Sequence, residues 1–132
     1  MEKVACSIIA GIVTTAIYLL GGADIALQCL VTAIALDYVS GILKAFNTKT
    51  LSSKIGFTGL MRKLGILVLV MLSVLIDRIT GGTGAIRTLV IYYFVANEGL
   101  SIIENIGQAG LPIPAVIKRA LKALKDQANE KG

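Results

Sequence analysis

The distribution of apolar residues is the feature of this sequence that most limits its fold. Four long apolar blocks cover roughly residues 4–22, 25–46, 60–80 and 84–106, and the basic residues are concentrated between and after them. An apolar helix of about 20 residues crosses the hydrocarbon core of a bilayer, and Lys and Arg stay mostly on its cytoplasmic side. The pattern therefore predicts an all-α integral membrane protein with about four transmembrane helices.

Composition supports insertion in a membrane and argues against a soluble domain. Hydrophobic residues make up 55% of the 132 residues, and the mean hydropathy is +0.81. A soluble fold of this size would expose apolar patches that monomers avoid. The net charge of +5 does not indicate a nucleic-acid partner, because cations beside apolar spans are typical of retention on the cytoplasmic face.

The charge on each connection predicts the topology. The connection over residues 44–63 carries basic residues and no acidic one, and the tail is also basic. With four spans, both termini and this connection share one side, which the positive charge identifies as the cytoplasm. Arg87 falls on the opposite side as an exception. We therefore predict a transmembrane domain over residues 1–110 and a cytoplasmic amphipathic tail over residues 111–132.

Two boundaries allow more than one interpretation. The first block is either a retained span or a cleaved signal peptide, for which Lys3 would be the basic region and 21–23 the small residues. Its long apolar stretch favours a retained span. The third block reaches spanning length only if Arg62 and Lys63 snorkel to the interface at its beginning. Before it, Ser52 or Ser53 is expected to cap a short interfacial helix.

Polar residues in the second and fourth blocks form a candidate functional face. A charged side chain at the centre of a membrane helix costs about 2.5–3.5 kcal/mol on insertion scales, so such groups usually face a bundle interior or water. The candidate pore or assembly residues are Asp37, Lys44, Arg87, Asn97, Glu98, Ser101, Glu104 and Asn105. The alternative is that these side chains lie near the interface or pair with one another and staple the helices together.

Small residues form a candidate helix-packing face. In the first block they recur at spacings of four, which places them on ridges of one helix and permits close approach to a neighbour. The set is Ser7, Ala10, Gly11, Thr14 and Thr15, together with Gly41 in the second block. The alternative is that membrane helices are simply rich in such residues.

The tail beyond Pro114 predicts a short basic amphipathic helix. Its apolar residues share one face, and the opposite face carries Lys118, Arg119, Lys122 and Lys125. Such a helix is suited to lie on an anionic leaflet. A solvated tail or a partner-binding helix is the alternative.

Side chains for catalysis or for cofactor binding are scarce. The sequence contains no histidine, which is the commonest metal ligand and general base. Cys6 and Cys29 lie inside apolar blocks without any metal-ligand spacing. Because a nucleophile paired with a base is hard to assemble from this inventory, we predict a protein that is not an enzyme and has no cofactor or metal.

Four strings of residues carry a specific resemblance. They are LDYVSG at 36–41, GLMRK at 59–63, NEGLSIIEN at 97–105 and GLPIP at 110–114. The chain resembles, over about residues 30–126, the phage holin family that includes clostridial toxin-secretion and phage-lysis holins.

The resemblance implies a membrane protein of Gram-positive phages or prophages, located in the bacterial cytoplasmic membrane of the host cell. It would homo-oligomerise and open lesions or pores through which an endolysin crosses to lyse the host, or through which a large toxin is secreted. The implied partners are other copies of the chain, a bilayer with an anionic leaflet, the endolysin or toxin as cargo, and an antiholin. No catalytic residue is implied. An antiholin-type regulator and a small ion channel are the alternative functions.

Overall fold

The computed structural model describes residues 1–130, and over this range the chain forms five helices and no strand. The helices are α1 (Glu2–Leu19), α2 (Ile25–Asn47), α3 (Ser53–Ile79), α4 (Ala85–Gln108) and α5 (Ala115–Glu130). The first four are long and apolar enough to cross a membrane. The predicted class, an all-α membrane protein with four spans and a C-terminal amphipathic helix, is confirmed.

Local capping residues set where the second and third helices begin. Asp24 accepts a hydrogen bond from the Leu27 amide at 3.0 Å, and Ser52 accepts one from the Ile55 amide at 3.2 Å. Both side chains satisfy backbone donors that the first helical turn leaves free. The prediction that Ser52 caps a helix is confirmed. However, that helix continues without a break into the third span, so the prediction of a separate interfacial helix was wrong.

Helix α4 is the central element of the bundle. It packs against α2, α3 and α5, whereas α2 and α3 contact each other over only a short stretch. Leu30 of α2, Val70 of α3 and Ile91 of α4 are completely shielded and form the centre of the core. Lipid chains are as apolar as these side chains, so close packing and interhelical hydrogen bonds, rather than the hydrophobic effect, hold such helices together.

Helix α1 stands apart from the other helices. Within the described chain none of its residues is buried. Its C-terminal end is held by Arg78 of α3, whose guanidinium donates to the Tyr18 carbonyl at 3.0 Å and lies 4.3 Å from the centroid of the Tyr18 ring. The rest of α1 therefore presents an apolar surface that the described chain does not cover.

Helix α5 folds back along α4. The Leu121 side chain occupies the space beside Gly99, where an added Cβ would lie 2.6 Å from Leu121 Cδ2. Further along, the Lys125 ammonium lies 6.0 Å from the centroid of the Tyr93 ring. The predicted amphipathic helix is therefore present, and its apolar face packs on the same chain at Leu121, whereas Ile117 stays 45% exposed. The last two residues of the predicted tail, 131–132, lie outside the described residues.

Candidate functional site

An ionic cluster joins the three central helices midway along the bundle. The Lys63 ammonium of α3 donates to the carboxylates of Asp37 on α2 and Glu98 on α4. The Lys63 side chain is 13% exposed and each carboxylate side chain is 10% exposed. We call these three residues, together with Ser40 and Asn105, the Lys63 cluster.

Amide and hydroxyl groups complete the hydrogen bonds of the Lys63 cluster. Asn105 Nδ2 donates to Asp37 Oδ1 at 3.1 Å and to Ser40 Oγ at 3.0 Å. Gly41 of α2 lies beside this contact, and a Cβ added there would be at van der Waals distance, 3.7 Å, from Asn105 Nδ2. Among the described residues, every buried side-chain nitrogen or oxygen has a hydrogen-bond partner. The cluster therefore leaves no polar atom unsatisfied inside the bundle.

The electrostatics of the Lys63 cluster depend on its one ammonium group. Two carboxylates and one ammonium give the cluster a formal charge of −1. Removing one partner of a buried ion pair typically costs about 3–5 kcal/mol, because the other charge then stays buried without compensation. Lys63 serves two such partners on two different helices, so it links the position of α3 to those of α2 and α4.

A second ionic group lies at the end of the bundle that contains the turn between α1 and α2 and the turn between α3 and α4. Arg87 Nη1 donates to Asp24 Oδ2 at 2.7 Å, Arg87 Nε donates to the Leu20 carbonyl at 2.7 Å, and Arg87 Nη2 donates to the Gly22 carbonyl at 3.0 Å. We call the following five residues the Arg87 cluster: Arg87, Leu20, Gly22, Asp24 and Asp77. The guanidinium thus binds the turn between α1 and α2 to the start of α4.

Asp77 and Gly21 shape the surroundings of Arg87. Asp77 accepts hydrogen bonds from the backbone amides of Ile86 at 3.2 Å and Arg87 at 2.9 Å, so it caps α4 from the preceding helix. Gly21 has a φ of +86°, and a Cβ there would lie 2.5 Å from Arg87 Nε. A glycine is therefore required both by the backbone conformation and by the approach of the guanidinium.

The carboxylate of Asp24 differs from those of the Lys63 cluster because it reaches solvent. Its side chain is 52% exposed. The hydrogen bond from Arg87 nevertheless holds the pKa of Asp24 below its ordinary value. A partly exposed pair of this kind is worth little free energy compared with a buried one.

The structure brings together part of the predicted polar face. Asp37, Glu98 and Asn105 meet in the Lys63 cluster, and Ser101 lines a cavity that reaches the same place. Arg87 belongs to the other cluster, at the opposite side of the core. That contact accounts for the one basic residue that the charge pattern placed on the wrong side.

The remaining candidates of the polar face lie elsewhere. Lys44 is half-buried in the last turn of α2, and Asn97 is half-buried on α4. Glu104 is exposed and accepts a hydrogen bond from Gln108 at 3.4 Å. These three residues do not join the Lys63 cluster in a single chain.

Lys63 is the residue of the site that sequence reasoning missed. The expectation that it snorkels at the beginning of the third span was wrong, because its ammonium donates to Asp37 and Glu98 between the helices. A signal was present, since Asp37 and Lys63 are equally distant from the middle of the connection between α2 and α3. Antiparallel pairing across that connection places the two residues opposite each other.

The candidate helix-packing face on α1 contacts no other helix of the described chain. The Ser7 hydroxyl donates to the Lys3 carbonyl at 2.9 Å, and the Thr15 hydroxyl donates to the Gly11 carbonyl at 2.8 Å. These hydroxyls are thereby satisfied within α1, and Ala10 and Thr14 are exposed beside them. The use of this face between copies of the chain remains a prediction.

The basic residues of α5 are arranged as the amphipathic pattern predicts. Lys118, Arg119 and Lys122 are exposed, and Lys125 is half-buried beside Tyr93. The apolar side of the helix, at Leu121, is occupied by α4. Binding of these cations to a membrane surface remains a prediction.

Comparison with known proteins identifies relatives of the chain. The profile of the bacteriophage holin family matches residues 14–126. A 14.9 kDa protein encoded in the nagH 3′ region of Clostridium perfringens is 41% identical over 83% of this chain and 84% of its own length. A protein of Clostridium perfringens strain 13 is 37% identical over 99% of this chain and 100% of its own length.

A third relative has a name that states a function. It is a probable holin of Bacillus phage phi105, 34% identical over 73% of this chain and 71% of its own length. No solved structure matches the chain.

Proposed function

Because the chain belongs to the bacteriophage holin family, we propose that it is a holin whose copies assemble in the bacterial cytoplasmic membrane and open lesions. It acts by forming a path through the bilayer rather than by catalysis. The cargo is a protein that degrades the cell wall, an endolysin, or alternatively a large toxin. An antiholin that delays the assembly is a further partner of this proposal.

The observation that carries the proposal is the Lys63 cluster, an ionic network inside an otherwise lipid-compatible bundle. A lesion that passes a folded protein needs a wall that tolerates water. Midway along the helices of the described chain, the carboxylates of Asp37 and Glu98 are buried and the Lys63 side chain between them is 13% exposed. These groups are paired with one another, so a single subunit can reside in lipid without exposing a charged face.

Opening then requires the cluster to exchange its internal partners for water. We propose that α2 and α4 turn the faces bearing Asp37 and Glu98 toward a shared lumen once enough copies have gathered. In water each charge regains hydration, so separating the ion pairs costs far less than it does in lipid. The same residues thus close the subunit when it is dispersed and line the hole when it is assembled.

Helix α1 supplies a surface through which copies can meet. Its side chains are not buried by the described chain, and Ser7, Gly11 and Thr15 form a ridge of small residues along it. Small residues let the backbones of two membrane helices approach closely. We propose that the first contacts between subunits use this ridge and leave the Lys63 cluster intact.

Orientation follows from the distribution of basic residues. We propose that both termini and the connection between α2 and α3 face the cytoplasm, since that side carries most of the Lys and Arg. In this orientation α5 starts on the cytoplasmic side, and Lys118 in its first turn is the exposed cation nearest that end of the bundle. Anionic lipids there would attract it by about 1 kcal/mol.

Expression of the chain in a bacterium tests the proposal against an antiholin. A holin stops growth and collapses the membrane potential at a set time after induction, as read by a potential-sensitive dye. An antiholin made alone reaches the membrane in the same amount but changes neither growth nor potential. Immunodetection in the membrane fraction shows whether a chain that changes neither growth nor potential has reached the membrane.

Reconstitution in vesicles tests the proposal against a small ion channel. The vesicles contain both a small dye and a folded enzyme of endolysin size. A holin releases both cargoes, with a delay that shortens as the protein-to-lipid ratio rises. Release of the dye with complete retention of the enzyme would contradict the proposal and favour a narrow channel.

A further inference from the structure

A cavity of about 1020 Å³ separates α2 from α3 on the side of their connection. It begins at residues 50–53 and ends at Asp37 and Lys63, while Ser101 and Asn105 of α4 form its back wall. It arises because α2 and α3 contact each other over only a short stretch, so the two helices diverge toward the connection. The volume is at the upper limit of the about 300–1,000 Å³ typical of ligand pockets.

The lining of the cavity combines basic and hydroxyl side chains with apolar ones. The cations of Lys44 and Arg62 are part of the lining, and the hydroxyl groups of Ser52 and Ser53 lie near the connection. The walls are mostly apolar, and the side chains of Ile42 and Leu60 are 42% and 46% exposed. An occupant with an anionic end and a long apolar end would match both parts of this lining.

Lys44 and Arg62, two cations of the lining, are available to a ligand. Within residues 1–130 neither Lys44 nor Arg62 forms an ion pair, whereas Lys63 at the deep end is already paired with two carboxylates. In the described chain the first turn of α3 carries no acidic side chain, so the positive end of its helix dipole is also uncompensated at Ser53. Lys44, Arg62 and the start of α3 therefore give the lining between the connection and Lys63 a positive potential.

From this arrangement we propose that the cavity is a binding site for one anionic phospholipid. The phosphodiester binds Lys44, Arg62 and the hydroxyl groups near the start of α3, and an acyl chain lies along Ile42 and Leu60. Basic pockets between membrane helices bind lipid headgroups by this combination of charge and apolar contact. The bound lipid fills the gap between α2 and α3 and thereby holds Lys63 near Asp37. The site goes beyond the proposed lesion and requires only that the chain spans a membrane.

Two glycines of α3 provide a matched pair of variants. Gly59 lines the cavity and Gly65 does not, and a Cβ added at either position meets no atom within 4 Å. The Gly59→Phe side chain would enter the space of the acyl chain, whereas the Gly65→Phe side chain would point away from it. Both replacements add the same apolar group to the same helix.

The experiment counts lipids that stay bound to the purified full-length chain. The protein is reconstituted in vesicles with equal amounts of phosphatidylglycerol and phosphatidylcholine, extracted in mild detergent, and analysed by native mass spectrometry. We expect the natural chain and Gly65→Phe to retain phosphatidylglycerol selectively, and Gly59→Phe to lose it. Equal retention by the two glycine variants would overturn the proposal.

Charge variants test the headgroup end of the same site. Replacing both Lys44 and Arg62 with Gln should lower the affinity for phosphatidylglycerol about tenfold or more, since each cation near a lipid surface contributes about 1 kcal/mol. The matched control, with Gln at both Lys118 and Lys122, removes the same charge from α5 and should keep the lipid. An equal loss in the two double variants would overturn the proposal.

Two other occupants give different results in the same assay. If inorganic phosphate displaces phosphatidylglycerol at equal concentration, the cavity is an anion site without an acyl subsite, and the lipid proposal fails. A second copy of the chain in the cavity would appear as a dimer that Gly59→Phe abolishes and that carries no selected lipid. Neither result is expected.

Discussion

The Lys63 cluster and the Arg87 cluster both pair a shielded cation with a carboxylate, but the carboxylates differ in how much solvent they meet. Lys63 of α3 binds carboxylates on two other helices, and the Arg87 guanidinium of α4 binds three residues of the turn between α1 and α2. The two cations are similarly shielded, with Lys63 13% and Arg87 10% exposed, but the carboxylates of Asp37 and Glu98 are 10% exposed and that of Asp24 is 52% exposed. The exposure of the carboxylate therefore decides what each pairing is worth.

The difference assigns the two clusters different roles. At the end of the bundle, water reaches the Asp24 carboxylate but not the shielded Arg87 side chain, so only the Asp24 side of this pairing is hydrated in place. The side chains of the Lys63 cluster are shielded midway along the bundle, so each charge depends on a partner within the protein. We therefore place the functional change in the Lys63 cluster and a structural role in the Arg87 cluster.

Removing the central ammonium should have the largest effect. Lys63→Leu leaves two carboxylates in the bundle without a cation, and we expect the free energy of unfolding to fall by about 3–5 kcal/mol. Denaturant unfolding in detergent micelles measures this loss. Lys54→Leu, an exposed position on the same helix, is the control and should change stability little. Equal stability of Lys63→Leu and the natural chain would contradict the buried pairing.

Removing the guanidinium should have a smaller effect. Arg87→Leu deletes the hydrogen bonds to Asp24 and to two backbone carbonyls, and we expect a loss of about 1.5–3 kcal/mol, as is typical for hydrogen bonds to a charged group. The same unfolding assay measures it. A loss greater than that of Lys63→Leu would reverse the comparison between the two clusters.

Neutralising the exposed carboxylate should have the smallest effect. Asp24→Asn should cost no more than about 1 kcal/mol, because exposed ion pairs contribute little. Since the pKa of Asp24 is lowered in the folded chain, its contribution is present above the ordinary Asp value of about 3.9 and disappears as the pH falls through the lowered pKa. The stability difference between natural chain and Asp24→Asn should therefore shrink in acid. A difference that grows in acid would contradict the assigned pairing.

The sequence predicts the helices better than it predicts their partners. Span length and charge indicate four membrane helices and the amphipathic α5, because both signals are local. The sequence also shows that Asp37, Glu98 and Asn105 are polar residues within apolar blocks. It does not show that they meet, because their meeting depends on the rotation and register of α2 and α3 against α4.

Lys63 illustrates the limit most clearly. A lysine at the edge of an apolar block is usually read as an interfacial residue, and only the early start of α3 at Ser53 moves it into the bundle. The packing of α5 on α4 is a second example. A basic amphipathic pattern fits a lipid surface and a neighbouring helix equally well, and the gap left by Gly99 decides between them here.

The most direct test of the account replaces all three charged members of the Lys63 cluster with Leu. An apolar replacement of a whole buried ion network is often neutral or stabilising, so the triple variant should insert and unfold like the natural chain or better. It should nevertheless release no enzyme from loaded vesicles, because the polar wall of the lesion is gone. Release by the triple variant with the natural delay and yield would contradict the account.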